Sequence, residues 1–448
     1  MVVGGFFREV CVMFWKIKYF ISKSVWLYPA VYSILSLLGA GLVVLLDARQ
    51  WVSLSNVLPG FLLTSVGLSK TILGIVATSL LTMTTFTFST TMVVLTMYSS
   101  QFSPRTVENF LSDKNTMETM GTFIGGFIYA IVSLFFMKQR LEGELVVAAT
   151  LAIIYMALCL IRFIRYILHV GSFIQTHNLI DRLSTEAMKK IEEYRILLER
   201  GTILPLNHST KQAFTIQVKS RDNGYIQYVD YDAMMKIAEK IAGVIVIDKI
   251  TGQFVTDTSR LFSVHLKEEV ELEEVQLTNL LKCVTIGKKQ TELQDFNFSI
   301  QKIVETALRA ISPGINDPNT AIHCLRILGV LLGKLADLEK GYLAMESDKK
   351  SAAIYMEIID FEKEIYFTFY QLVHYGSSDI SVMISLLKAL RLVMEKASSK
   401  NRSVILNFLD YVWEKIDPSL LTGYDLKMLE HEKEEIIRPS RFSPVGNA

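Results

Sequence analysis

Along the first third of the chain the hydrophobic positions form long uncharged runs broken by short charged stretches, whereas later segments alternate at strand or helix periods. The longest run lies between Lys70 and Arg105, thirty-four uncharged residues reading TILGIVATSLLTMTTFTFSTTMVVLTMYSSQFSP. As a helix it measures roughly 50 Å, more than the ~30 Å hydrocarbon core of a bilayer. The pattern predicts four spans, at 24–46, 68–100, 119–137 and 145–165, within a transmembrane domain covering 24–170. Residues 1–23 interleave Phe6, Phe7, Val10, Phe14 and Trp15 with Arg8, Lys16, Lys18 and Lys23, which predicts an interfacial helix. Glycines at Gly39 and Gly41, and at Gly121, Gly125 and Gly126, predict close helix contacts.

The second span is unusual in composition. On a helical wheel Gly67, Thr71, Gly74, Thr78, Thr82, Thr85, Ser89, Met92, Thr96, Ser100 and Ser103 fall within roughly 40° of one direction. Leu73, Val76, Leu80, Met83, Thr87, Val94 and Tyr98 occupy the opposite face. Small and hydroxylated residues let helices approach closely and bond back to their own carbonyls. Copies of the stripe could equally line a polar path, with Thr71, Thr78, Thr82, Thr85, Ser89 and Thr96 as its walls. At the end of the span, Pro104 forces Ser103 out of helical geometry. Phe102, Ser103, Pro104 and Arg105 therefore read either as a helix stop or as a gate.

Arg8, Lys16, Lys18, Lys23, Arg105, Arg162 and Arg165 would share one side of this topology, predicting cytoplasmic termini. A helix from about Ser172 to Arg200 leads into an α+β module at 171–290, with a hairpin turn expected at Asn223-Gly224. Residues 291–438 read as a helical domain and 439–448 as a disordered tail. Within the helical domain Ser312-Pro313-Gly314 stops one helix, and Asp317 caps the next with Pro318 at its first position. A further helix is expected from Ile354 to His374. The fold class is thus mainly α: a four-span helical domain, a cytosolic α+β module and a helical C-terminal region.

Composition agrees with a membrane portion plus soluble domains: half of the 448 residues are hydrophobic, and the net charge is only +1. That balance points away from nucleic acid. The cysteines, Cys11, Cys159, Cys283 and Cys324, lack metal-site or disulfide spacing. There is no Walker loop, G-x-G-x-x-G, HExxH or G-x-S-x-G, so no catalytic residue, metal site or cofactor is expected. His169 and His177, eight residues apart, diverge round a helix. The one polar cluster with ligand-binding character is Arg309, Asn316, Asp317 and His323 around the SPGIND turn, although such a turn demands Pro, Gly, Asn and Asp for purely structural reasons.

Three separated strings, SSQFSPR at 99–105, GYIQYVD at 224–230 and ALRAISPGINDPNTAI at 307–322, resemble the signatures of a bacterial family of predicted membrane proteins, domain of unknown function 2254. The chain departs from that pattern at Asn319 and in its Thr-rich second span. The resemblance implies a multi-pass bacterial plasma-membrane protein with a cytosolic domain, and it implies no chemistry. The expected partners are the lipid bilayer and further copies of the chain. The functional expectation is an ion or small-solute channel lined by the second span, opposed by a non-conducting scaffold or sensor that presents its cytosolic domain.

Overall fold

In the computed structural model the described residues are 27–49, 59–101, 113–137, 145–173, 175–205, 214–268, 272–348, 351–417, 419 and 421–438. The expected interfacial helix at 1–23, the gate at 102–105 and the tail at 439–448 lie outside them. The chain divides into two units, 1–178 and 179–448.

The first unit is built on four apolar helices long enough to cross a membrane. They are α1 (Leu27–Arg49), α2 (Val66–Gln101), α3 (Lys114–Met137) and α4 (Ala148–Phe173). A short 3-10 turn (Gly60–Leu62) precedes β1 (Thr64–Ser65), which pairs antiparallel with β2 (Leu145–Val146). Leu73, Leu80, Phe123, Ala130 and Cys159 form the centre of the packing.

Helix α3 is the hub, and its glycines show why. A Cβ at Gly121 would stand 3.1 Å from Tyr28 O, and one at Gly125 would stand 3.0 Å from Tyr32 O, so α1 lies directly on this face. At Gly126 a Cβ would meet the Tyr155 ring at 2.5 Å and Leu80 Cδ1 at 2.7 Å, where α2 and α4 converge. The expected small-residue contact is therefore real on α3. It is absent on α1, because a Cβ at Gly39 or Gly41 meets nothing within 4 Å.

The second unit contains α5 (Thr176–Leu198) from residue 179 onward, close to the helix expected from about 172 to 200; α4 ends at Phe173, so the two are separate helices and not one continuous run. Its strands are β3 (Thr202–Leu204), β4 (Phe214–Lys219), β5 (Gly224–Val229), β6 (Val244–Ile247), β7 (Phe254–Val255), β8 (Arg260–Leu266), β9 (Val284–Gly287), β10 (Tyr342–Glu346) and β11 (Ala353–Glu357). They form a six-stranded sheet, β3-β10-β11-β6-β8-β4, and a three-stranded sheet, β7-β5-β9. The helices are α6 (Tyr231–Ile241), α7 (Glu274–Lys282), α8 (Phe296–Ala310), α9 (Pro318–Gly333), α10 (Phe361–Gly376), α11 (Ile380–Lys396), α12 (Ser399–Glu414) and α13 (Gly423–Ile437). Asp230, Asp295, Asp317 and Asp379 cap α6, α8, α9 and α11, each accepting a first-turn backbone N–H.

Two expectations need correcting. Asn223-Gly224 does not close a hairpin: β4 pairs with β8 and β5 with β7 and β9, so the turn carries the chain from one sheet to the other. Nor is 291–438 purely helical. Strands β10 and β11 sit inside it and join the six-stranded sheet through β3 and β6. Their residues, YLAME and AIYME, are largely good helix formers, which made 354–357 read as the start of a helix. Burial in the sheet overrides that preference.

The seating of α3 predicts a contrast between glycines. Gly126→Leu should lower the unfolding midpoint of the detergent-solubilised chain by an amount equivalent to about 1–3 kcal/mol, the usual cost of overpacking. Gly41→Leu, entering open space, should shift it little; equal shifts in thermal melts would contradict the hub arrangement.

Candidate functional site

Helix α2 is two-faced, as its wheel predicts. Leu73, Val76, Leu80, Thr87 and Val94 are buried. Thr71, Thr78, Thr82, Thr85, Ser89 and Thr96 all lie on the exposed outer face of the unit. Leu68, Ile75, Phe86 and Val93 flank that stripe on one side and Leu81 and Phe88 on the other, all exposed. The hydroxyls of Thr71, Thr78, Thr82, Thr85 and Thr96 each donate to the carbonyl four residues back, at 2.9 to 3.3 Å. Back-bonding satisfies each donor within the helix and leaves oxygen lone pairs on the outer surface. A Cβ at Gly67 or Gly74, on the same stripe, would meet nothing within 4 Å. The outer face thus combines internally satisfied hydroxyls with open space beside two glycines.

The buried side of α2 carries a second polar group that sequence reasoning left unassigned. Thr91 Oγ1 bonds to Thr87 O at 2.8 Å and lies 3.0 Å from Tyr166 Oη, which in turn donates to Thr87 O at 3.1 Å. Thr87 Oγ1, by contrast, is buried with no hydrogen-bond partner. Between α3 and α4, Arg162 bonds to Glu118 at 3.0 Å and His169 Nε2 lies 2.9 Å from Asp113 Oδ2. These pairs gather charge at one end of the α3/α4 pair. The only hint in the sequence is that Glu118 and Arg162 each interrupt or border an apolar run.

Around the SPGIND turn the structural roles are plain. Asn316 adopts a left-handed φ of 51°. Its amide and that of Ile315 both donate to Ser312 O, at 2.9 and 3.0 Å. Both carboxylate oxygens of Asp317 are taken by Thr320 as the cap of α9, at 3.2 Å from its backbone N and 2.5 Å from its Oγ1. His323 Nε2 instead approaches Asp181 Oδ1 at 3.8 Å, and His177 precedes Asp181 by one turn of α5. Arg309 and Asn316 are exposed. The turn thus uses Asn316 and Asp317 for backbone geometry and directs His323 toward α5.

A cavity of about 270 Å³ in the second unit was not foreseen; Tyr194, Tyr228, Tyr231, Asp295 and Asn297 are among the residues that line it. The cations beside it are already engaged, Lys190 with Glu193 at 2.6 Å and Arg200 with Asp232. Beneath it Asn297 donates to Glu364 at 3.1 Å. Burial pushes the Glu364 carboxyl up to about 7; the Asn297 hydrogen bond opposes that rise and the charge of Asp295 adds to it. The signal was invisible in sequence because it joins residues from α5, β5, α8 and α10.

The model of a family described as predicted membrane protein, domain of unknown function 2254, matches residues 22–392. The chain belongs to that family. Similar family relatives are the uncharacterized proteins Rv1290c of Mycobacterium tuberculosis and Mb1321c of Mycobacterium bovis, each 23% identical over 346 residues. The alignment covers 75% of this chain and 66% of each relative, so the chain spans slightly less than two thirds of their length. No solved structure matches the chain. Membership makes this a predicted membrane protein with four candidate spans, in accord with its apolar helices.

Two measurements follow from the site geometry. Tyr166→Phe removes a shared hydrogen bond and should cost about 0.5–1 kcal/mol, whereas Thr87→Val removes an unsatisfied hydroxyl and should be neutral or stabilising. Thermal melts in one detergent compare the two signs. For Glu364 the folded-state pKa lies above the ordinary 4.5, so its contribution to stability is full below about 4.5 and is lost as pH rises through about 7. Glu364→Gln should flatten the fall in unfolding midpoint across that window; an unchanged slope would contradict the assignment.

Proposed function

We propose that this family member is an integral membrane homo-oligomer in which the α2 helices of several copies face one another. The hydroxyl stripe Thr71, Thr78, Thr82, Thr85, Ser89 and Thr96 then borders a polar path for an ion or small solute. The observation that carries this reading is the exposure of the whole stripe on the outer face of the first unit, between two apolar ridges. Hydroxyl and small residues at this density favour a helix partner over acyl chains, because each oxygen keeps acceptor capacity that hydrocarbon leaves unused. The apolar ridges serve as the contact between neighbouring copies, and the stripe faces the axis.

In this reading the termini and the second unit are cytosolic, the orientation expected from the distribution of Lys and Arg along the sequence. The segment that follows α2 in the sequence, with Phe102, Ser103, Pro104 and Arg105, is in this reading the inner mouth and gate. The second unit sets the open fraction by preferring one arrangement of that mouth. The i−4 back-bonding of the threonines also supports the opposing reading, a non-conducting scaffold whose stripe is a dry contact seam.

Flux separates the two. Purified chain in liposomes should pass small ions, and Thr82→Leu and Thr85→Leu should bring the rate to that of empty liposomes while leaving the oligomer intact on sizing. Absence of flux from the parent chain across voltage, membrane tension and pH would contradict the path and leave the scaffold.

A further inference from the structure

The first unit has a groove of about 610 Å³ on its outer surface between α1 and α4. Leu35, Gly39 and Leu42 of α1 form one wall, and Leu151 and Leu158 of α4 the other. A Cβ at Gly39 would meet nothing within 4 Å, so the space beside this wall is open to a larger side chain. The polar groups of its floor are satisfied internally: Tyr155 Oη donates to Thr122 O at 2.9 Å and Tyr129 Oη donates to Ala148 O at 3.1 Å. The half-buried hydroxyls of Ser36 and Tyr32 are held by Tyr155 and Arg162, and the rest of the lining is apolar except at one end, where Arg162 and Arg165 stand.

We infer that this groove is a phospholipid site, with one acyl chain lying along the α1/α4 walls and an anionic headgroup held at the Arg162/Arg165 end. An apolar groove that opens toward a bilayer is filled by acyl chain, because water inside it would contact only hydrocarbon and already paired hydroxyls. Its length fits one lipid tail: from Leu151 to Arg165 the helix rises roughly 21 Å, somewhat more than one leaflet of a ~30 Å core.

The headgroup preference follows from charge. Arg162 bonds to Glu118 at 3.0 Å, and Lys114 lies 3.5 Å from the same residue, so one carboxylate answers two cations. Arg165 is exposed and has no ion pair among the described residues. The groove therefore ends in an excess of positive charge beside guanidinium donors suited to a phosphate. This inference rests on the helices lying in a membrane and is independent of any conduction through the α2 stripe.

The test uses the full chain, purified in mild detergent and offered phosphatidylglycerol or phosphatidylcholine with identical acyl chains, with retained lipid counted by native mass spectrometry. Phosphatidylglycerol should be retained in preference to phosphatidylcholine. Arg165→Gln should weaken phosphatidylglycerol retention about fivefold, the factor that corresponds to about 1 kcal/mol per basic residue, and leave phosphatidylcholine unchanged. Gly39→Leu fills open space and should abolish retention of both lipids without lowering the thermal midpoint. Equal retention of the two lipids by the parent chain would overturn the headgroup assignment. Retention unaffected by Gly39→Leu would overturn the groove as the site.

Discussion

Inside hydrocarbon a hydroxyl has no water to turn to, and that single constraint organises the first unit. Every polar group along its helices has to be answered by the protein itself or be turned toward a partner. On α2 the outward threonines meet it by bonding to their own helix, at Thr78, Thr82 and Thr85 among others. On the inward side the Thr91–Tyr166 pair meets it across two helices. At the charged end Glu118 answers Arg162 and Asp113 answers His169. Among the described residues the interior is thus self-sufficient in hydrogen bonds almost everywhere, with the buried hydroxyls of Thr87 and Ser133 as the exceptions.

That self-sufficiency frees the outer surface for partners. Close packing is concentrated where α3 presents Gly121, Gly125 and Gly126, which draw α1, α2 and α4 inward. Away from that hub the glycines meet nothing: Gly67 and Gly74 on the α2 stripe, and Gly39 on the α1 groove. Small residues at the hub bring the unit's own helices together, and small residues on the outside leave room for something else. The two outward features differ in what they fit. One is a hydroxylated stripe between two apolar ridges, and the other is an apolar groove ending in arginines.

Much of this was legible in the sequence because membrane helices announce themselves by length and by the absence of charge. The wheel of α2 separated Leu73, Leu80 and Val94 from Thr78 and Thr82, and the burial of these residues follows that division. Asp317 and Pro318 placed the start of α9 for the same local reason, since a cap is written within four residues. Long-range pairing was not legible. The pairing of β11 with β6 joins residues about a hundred positions apart, and their helix-prone composition hid them. The Glu364 cavity joins four elements for which no local pattern exists, and the Gly39 groove required knowing which glycines touch a neighbour.

The central claim is that the α2 stripe looks onto a shared polar environment, not onto lipid. It is tested most directly by cysteine accessibility in intact proteoliposomes, in a chain whose own four cysteines have been replaced by alanine. Thr82→Cys and Thr85→Cys should react with a membrane-impermeant thiol reagent, while Ile75→Cys and Val93→Cys on the flanking ridge should not. Protection of both stripe positions, with reaction no faster than at the ridge, would contradict the account.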